Sequence, residues 1–98
     1  MSQAHAPSTV KVEVGYAGGR KGPYRDHLAP ETSLTTVRTE AMTHFGIADS
    51  TDAAGNRIVY TLTDGNAPVD LAKTVGDLAT GKHERELELR LIREVIAG

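Results

Sequence analysis

Two alternating segments at opposite ends of the chain constrain its fold more than any other feature. In residues 9–16 (TVKVEVGY) the valines and the tyrosine fall on one face, and polar side chains fall on the other. Residues 86–93 alternate in the same way through three leucines. Such alternation is typical of strands with one buried face. As the most apolar strands, they are expected side by side at the centre of one sheet. Parallel pairing is natural, because the whole intervening chain can serve as the crossover.

A single helix is predicted between these strands. Thr32 and Ser33 are good N-cap residues, and Gly46 is suited to a left-handed helix end. Apolar residues recur between them at helical spacing, at Leu34, Val37, Ala41 and either Met42 or Phe45.

The remaining segments complete the order strand, strand, helix, strand, short strand, strand. A glycine-rich hairpin loop leads to a weaker strand over residues 24–29, and residues 48–56 read as a polar loop. A third full strand is expected over residues 57–62 and a very short one over 67–69. Residues 70–80 are predicted to form a turn or short helical element that places Leu71, Val75 and Leu78 in the core. Together these elements predict an α+β domain, with one sheet curled over one helix.

Composition limits the classes of function. A chain of 98 residues makes one domain, and its net charge of −2 argues against a sequence-independent nucleic-acid binder. The absence of cysteine excludes disulfides, thiolate metal sites and a cysteine nucleophile. The first residues lack the pattern of a signal peptide, and no apolar run has membrane-spanning length. We therefore expect a cytoplasmic protein that binds neither nucleic acid nor membrane, and a monomer.

Several segments, taken in order, resemble the β-grasp fold of ubiquitin-like proteins. They are APETSLTTVRTEAMTHFGI, RIVYTLTDGNAPVD, the turn from Asp70 to Leu78, and RELELRLIREVIAG. The resemblance covers residues 9–98 and implies a mixed sheet of four or five strands curled over one α-helix. It divides the chain into a flexible leader (1–8), a ubiquitin-like domain (9–93) and an extended conjugation tail (94–98). The sequence is most similar in style to ubiquitin-like modifiers of prokaryotic operons, some of which act in antiphage defence.

The resemblance implies a protein modifier rather than an enzyme. Its reactive group would be the carboxylate of Gly98, preceded by Ala97 where ubiquitin has a second glycine. A partner activating enzyme would adenylate this carboxylate with its own ATP and magnesium, so the chain itself needs no cofactor. The implied partners are that enzyme, a conjugating enzyme, a deconjugating peptidase and target proteins. Val95 and Ile96 would lie extended along the activating channel.

Other residues are candidates for docking and for chain linkage. Val59 is predicted on the outer face of the third strand, and the matching outer position on the last strand is Arg90. The alternative for Val59 is a lone exposed apolar residue, which is ordinary on protein surfaces. Chain linkage would use the N-terminus or a side-chain amine of Lys11, Lys21, Lys73 or Lys82, unless all four lysines are only solubilising charges.

No residue pattern predicts catalysis or a metal site. The four histidines are widely spaced, and no pair shows ligand spacing on a predicted helix face. Asp64 and Asp77 suit turns better than paired acid–base chemistry. The glycines near Arg20 and Lys21 lack the ending of a phosphate loop and a following helix.

Two alternatives to the modifier remain open. A sulfur carrier shares the fold and the adenylation step but ends as a thiocarboxylate. A β-grasp interaction module would never be conjugated and would bind partners through a strand edge or the face that carries Val59. Neighbouring genes distinguish the three hypotheses. A gene for a conjugating enzyme would favour the modifier, a gene for a sulfurtransferase would favour the sulfur carrier, and neither would favour the interaction module.

Overall fold

The fold is a mixed sheet packed against one long helix. It is seen in a computed structural model that describes residues 9–65, 67–79 and 86–97. In chain order the elements are β1 (Val10–Tyr16), β2 (Tyr24–Leu28), α1 (Leu34–Phe45), β3 (Ser50–Thr51), β4 (Arg57–Asp64), β5 (Ala67–Pro68), α2 (Val75–Ala79) and β6 (Glu86–Ile96).

The first and last strands lie side by side at the centre of the sheet, as predicted. The strand order is β2-β1-β6-β4-β3, with β5 paired to β4. Strands β1 and β6 run parallel, with Val12 opposite Leu87 and Tyr16 opposite Leu91. The other strand pairs are antiparallel. The mixed α+β sheet over a helix is therefore confirmed.

Local chemistry sets both ends of α1 where the sequence predicts them. The Ser33 hydroxyl accepts a hydrogen bond of 3.2 Å from the backbone N–H of Thr36. Gly46 has a φ of 70°, the left-handed conformation that glycine adopts without steric cost. The backbone N–H of Ile47 donates to the Met42 carbonyl, which closes the chain back over the helix end.

The core is built almost wholly from aliphatic side chains of the sheet and the inner face of α1. The three valines of β1 are fully buried, as are Leu34 and Val37 of the helix. Full burial of each such side chain stabilises the fold by about 1.5–3 kcal/mol. At the last helical position the sequence left Met42 and Phe45 as alternatives. Met42 is buried, whereas Phe45 is half-buried and packs edge-to-face on Tyr16 at a centroid distance of 5.5 Å.

Strand pairing changes two predicted boundaries. Within the predicted polar loop, β3 pairs with the start of β4, so the sheet has six strands once the two-residue strands are counted. The predicted end of the last strand near Arg93 is wrong, because Glu94 pairs with Val59 and Ile96 pairs with Arg57. The first half of β4 provides a neighbour for residues that the alternation pattern alone left in the tail.

The segment before β6 contains a short helix, as predicted. Val75 is buried in α2, whereas Leu71 and Leu78 are only partly buried against the core. Thr74 and Asp77 hold the start of α2 reciprocally: the Thr74 N–H donates to the Asp77 carboxylate, and the Asp77 N–H donates to the Thr74 hydroxyl.

The division into leader, domain and tail stays a prediction. The leader, residues 1–8, lies outside the described residues, and so does Gly98. No helix within residues 9–65, 67–79 and 86–97 has the length and hydropathy needed to cross a membrane.

Candidate functional site

The outer half of β6 is the part of the sheet best placed to meet another molecule. Leu87, Leu89 and Leu91 point into the core and are at most 4% exposed. Beyond them the strand continues through Ile96, and every residue from 92 to 97 is exposed. The same strand therefore anchors the core and carries an exposed segment.

The backbone of β4 shows which residues of β6 bond to it. The N–H and C=O groups of Tyr60 face away from β6, since the N–H donates to Asp49 at 3.1 Å and the C=O accepts from Arg38 at 2.9 Å. The C=O of Leu62 also faces away, because it accepts from Val69. Backbone polar groups alternate in direction along a strand. Residues 57, 59, 61 and 63 of β4 therefore turn theirs toward β6.

The register between β4 and β6 determines in which direction the backbone groups of β6 point. Ile92, Glu94 and Ile96 lie opposite Thr61, Val59 and Arg57, so they form the hydrogen-bonded pairs with β4. The backbone groups of Arg93 and Val95 then point the other way, toward the side that β1 occupies earlier in the strand. The pairing of β1 with β6 ends at Tyr16 opposite Leu91. Residues 92–96 of β6 thus have a strand neighbour on one side only among the described residues, and we call their open side the free edge.

The free edge is apolar. The exposed large hydrophobic side chains of the described chain are Ile92, Val95 and Ile96, with exposed fractions of 42%, 52% and 44%. Val95 and Ile96 were predicted to bind partners, whereas Ile92 was missed. The signal for Ile92 was its position directly after Leu91, which breaks the apolar–polar alternation of the strand.

A notch lies where β1 leaves β6. It has a volume of about 280 Å³ and is lined by Tyr16, Ala17, Gly18 and residues 90–93. A Cβ atom on Gly18 would lie 2.8 Å from the Tyr16 hydroxyl, so the absence of a side chain lets the loop lie against the tyrosine ring. Burial raises the pKa of Tyr16 above its ordinary value. Its phenol therefore stays neutral at physiological pH, as a wall of this notch.

The predicted docking residues Val59 and Arg90 do not face each other. Val59 lies opposite Glu94 and is half-buried, whereas the exposed Arg90 lies opposite Thr63. Both residues lie on the outer face of the sheet, four register positions apart, and their role in docking stays a prediction. The register follows from pairing along the full length of β4, which no local pattern reports.

Solved structures with this architecture decide the fold family. A ubiquitin from Caldiarchaeum subterraneum superposes with a TM-score of 0.63 at 18% identity, covering 92% of this chain and 99% of that one. The fold is ubiquitin-like β-grasp. ATG8 of Trypanosoma brucei superposes with a TM-score of 0.64 at 7% identity, covering 94% of this chain and 78% of that one. A structure described as "Molecular Mimicry of SUMO promotes DNA repair" gives 0.60 at 9% identity, covering 90% of this chain and 95% of that one.

In sequence, this ubiquitin-like chain matches no protein-family model and no curated protein. The structural likeness at these identities establishes the fold. The predicted resemblance to ubiquitin-like proteins is therefore confirmed at the level of the fold.

The lysines of the ubiquitin-like domain differ in their surroundings. Lys11 forms an ion pair of 3.4 Å with Glu86, its neighbour across the parallel strands. Lys21 in the first hairpin loop and Lys73 before α2 are exposed. Lys82 lies outside the described residues. Their use in chain linkage stays a prediction.

The opposite edge of the sheet holds a second group of polar side chains. The Tyr24 hydroxyl lies 3.3 Å from carboxylate oxygens of both Asp26 and Glu40. Burial, reinforced by these two carboxylates, raises the pKa of Tyr24, so the phenol serves as a hydrogen-bond donor that ties β2 to α1. The described residues contain no group of three or more histidine or carboxylate side chains placed to hold a metal ion.

Proposed function

We propose that the chain is a ubiquitin-like protein modifier, activated at the carboxylate of Gly98 and then joined to target proteins. The observation that carries the proposal is the course of β6, the central strand of a ubiquitin-like sheet. It leads the chain out of the core to an exposed Ala97, directly before Gly98. The residue directly before the proposed reactive carboxylate therefore lies outside the folded core.

The proposed chemistry belongs to partner enzymes. A carboxylate oxygen of Gly98 attacks the α-phosphorus of ATP, forming an acyl-adenylate and releasing pyrophosphate, with magnesium supplied in the partner's site. The thiolate of a partner cysteine attacks the acyl carbon and releases AMP. A target amine then displaces the thiol and forms the amide. The chain contributes no catalytic group to these steps, and the lack of a Cβ on glycine leaves the acyl carbon open to attack.

The pairing of β6 with β4 limits how the end of the chain can be reached. Ile96 is held opposite Arg57 and Val95 opposite Ile58, so Ala97 is the first residue beyond the strand. The Glu94 carboxylate accepts a hydrogen bond from the Thr61 hydroxyl of β4. This bond holds β6 against β4 just before Val95 and Ile96. A partner channel that encloses more than Ala97 and Gly98 must therefore separate Ile96 from β4.

The setting that we propose is the cytoplasm of a prokaryote, where ATP is available to the activating enzyme. The modifier would belong with genes for activating, conjugating and deconjugating enzymes, in a pathway of antiphage defence. A sulfur carrier remains the second candidate, because a sulfur donor can attack the same adenylate and form a thiocarboxylate instead of a thioester.

Intact-mass analysis tests the proposal. The purified chain is incubated with the adenylating enzyme encoded beside it, ATP and magnesium, and a chain lacking Gly98 serves as the control. A thiol-labile covalent adduct of chain and enzyme, formed by the full chain and not by the control, is the expected result. Exchange of one oxygen for sulfur at the terminus would favour the sulfur carrier. No ATP-dependent change in mass would overturn both and leave an interaction module.

A further inference from the structure

We propose that the free edge, residues 92–96 of β6, accepts an extended segment of a partner protein as an added strand. The segment carries an apolar side chain next to a carboxylate. This docking surface does not depend on the chemistry of Gly98 and goes beyond the proposed conjugation, because it requires only the folded sheet.

The backbone groups of the free edge have no strand partner among the residues that the structure describes. The N–H and C=O groups of Arg93 and Val95 point away from β4, and β1 has already left the sheet at Tyr16. An open row of such groups is a template for pairing with another strand. On the far side of β4 the corresponding groups of Tyr60 are covered by Arg38 and Asp49. The fold therefore covers the outer side of β4 at Tyr60 and leaves the free edge of β6 open.

The notch beside the free edge provides a place for a side chain. Its walls are the Tyr16 ring, the close loop at Gly18, and Ile92. Its volume of about 280 Å³ is enough for an aliphatic side chain of an added strand. Burial of Ile92 and Val95 by the segment would remove apolar surface from water, which favours association.

Charge indicates which segment fits. Arg90 and Arg93 both line the notch, and neither guanidinium has an ion pair or hydrogen bond within the described part of the chain. Arg25 and Arg38, by contrast, are paired with Glu13 and Asp49. The nearby carboxylate of Glu94 accepts a hydrogen bond from the Thr61 hydroxyl of β4. The notch is therefore flanked by positive charge that a carboxylate in the docked segment would balance.

A second copy of the chain fits this edge poorly. An antiparallel pair centred on residue 94 would place Glu94 opposite the same residue of the other copy, and a pair centred on 93 would do the same with Arg93. Like charges directly opposite each other destabilise a strand pair. A pair centred on Val95 avoids like charges, but it leaves the charges of Arg93 without a carboxylate opposite them. A contact of about five residues per copy also falls well below the roughly 1,200 Å² buried by stable interfaces.

Selection from a random dodecapeptide display library tests the proposal on the full chain. We expect enriched peptides that combine apolar residues with Asp or Glu. Val95→Pro removes the N–H that faces the free edge without removing a hydrogen bond to β4, and proline is tolerated at strand edges. Val95→Ala keeps that N–H and is the matched control. We expect Val95→Pro to abolish binding of the enriched peptides and Val95→Ala to retain it.

A second pair of variants keeps the test decisive if the proline disturbs the strand. Arg93→Glu reverses the charge at the notch, whereas Arg57→Glu reverses an exposed charge on β4 outside it. We expect Arg93→Glu to weaken binding of the acidic peptides about tenfold or more, and Arg57→Glu to leave it nearly unchanged.

Three results would overturn the proposal. The first is the absence of enriched peptides, and the second is equal binding of those peptides to Arg93→Glu and to the unaltered chain. The third is a dimer, detected by sedimentation, that Val95→Pro converts to monomer, because it would assign the free edge to a second copy.

Discussion

Gly76 lies where an added methyl group would meet the backbone of another segment. A Cβ atom there would be 2.9 Å from both the carbonyl oxygen and the Cβ of Pro30. The Gly76 N–H also donates to that carbonyl at 2.8 Å, which draws the two segments together. The glycine is therefore required by close approach, not by its dihedral angles.

We expect Gly76→Ala to lower the free energy of unfolding by about 1–3 kcal/mol, because the α2 segment must move away from Pro30. Urea denaturation measures this. Gly22→Ala is the matched control, since nothing lies within 4 Å of its Cβ position, and it should change stability by less than about 1 kcal/mol. Equal effects of the two substitutions would contradict the steric argument.

Asp77 gives the start of α2 a dependence on pH. The hydrogen bond from the backbone N–H of Thr74 holds the pKa of Asp77 below its ordinary value. The folded chain therefore keeps this carboxylate ionised at pH values where the unfolded chain has protonated it. Its stabilising contribution is complete above about pH 4 and is lost as the pH falls through the folded-state pKa.

We expect Asp77→Asn to lower the melting temperature at neutral pH, and we expect the difference to shrink as the pH falls through the folded-state pKa, because the native carboxyl then becomes protonated. Thermal unfolding followed by circular dichroism across this range measures the difference. A difference in melting temperature that does not shrink with acid would show that the charge of Asp77 is not what stabilises the turn.

At the scale of elements, side chains rather than another strand complete the middle of the outer side of β4, between its pairings with β3 and β5. Arg38 reaches from α1 to the Tyr60 carbonyl and also pairs with Asp49 at 2.7 Å. Asp49 in turn accepts from the Tyr60 N–H. The two side chains satisfy both backbone groups of a residue in the part of β4 that lies between its pairings with β3 and β5. Open backbone groups there would invite pairing with other chains.

We expect Arg38→Met to cost about 1–2 kcal/mol, because it leaves the Tyr60 carbonyl without its partner. Arg25→Met is the matched control. Arg25 pairs with Glu13 on the outer face, but its side chain is 63% exposed, and such pairs contribute about 0.2–1 kcal/mol or nothing measurable. Chemical denaturation compares the two, and a larger loss for Arg25→Met would refute this account of the edge.

Amide hydrogen exchange tests the orientation of β6. The N–H groups of Ile92, Glu94 and Ile96 bond to β4, whereas those of Arg93 and Val95 face the open side. We expect alternating protection along residues 92–96, with slow exchange at the even positions and fast exchange at the odd ones. Uniformly fast exchange would mean that this part of the strand is not paired in solution.

Local chemistry explains which elements could be predicted from the sequence. Alternation identified β1 and most of β6, and the cap residues Ser33 and Gly46 bounded α1, because each signal lies within the element that it forms. The extension of β6 to Ile96 and the short strand β3 depend on what lies across the sheet. The ion pair between Arg38 and Asp49 joins α1 to the loop before β3. The separation of the two residues in the sequence does not predict it.

The candidate site was predictable in part. The resemblance to ubiquitin-like proteins marked Val95 and Ile96 as tail residues that contact a partner, and both are exposed. The pairing of Val59 with Glu94 and the notch at Tyr16 come from register and from where β1 leaves the sheet. Those features belong to tertiary structure.

At the scale of the whole molecule, β6 completes the core. It lies between β1 and β4, and its three leucines join the buried cluster from both halves of the sheet. We expect a chain ending at residue 85 to remain unfolded, because it loses these side chains and leaves β1 and β4 without their shared neighbour. Proton NMR dispersion and far-UV circular dichroism measure this. A cooperative unfolding transition in the shortened chain would contradict it.

The central position of the last strand also orders events during protein synthesis. While β6 is still within the ribosome, β1 and β4 have emerged but have nothing between them, so the nascent domain cannot close its sheet. The sheet, and any surface that spans β1, β6 and β4, can therefore form only after translation has passed β6.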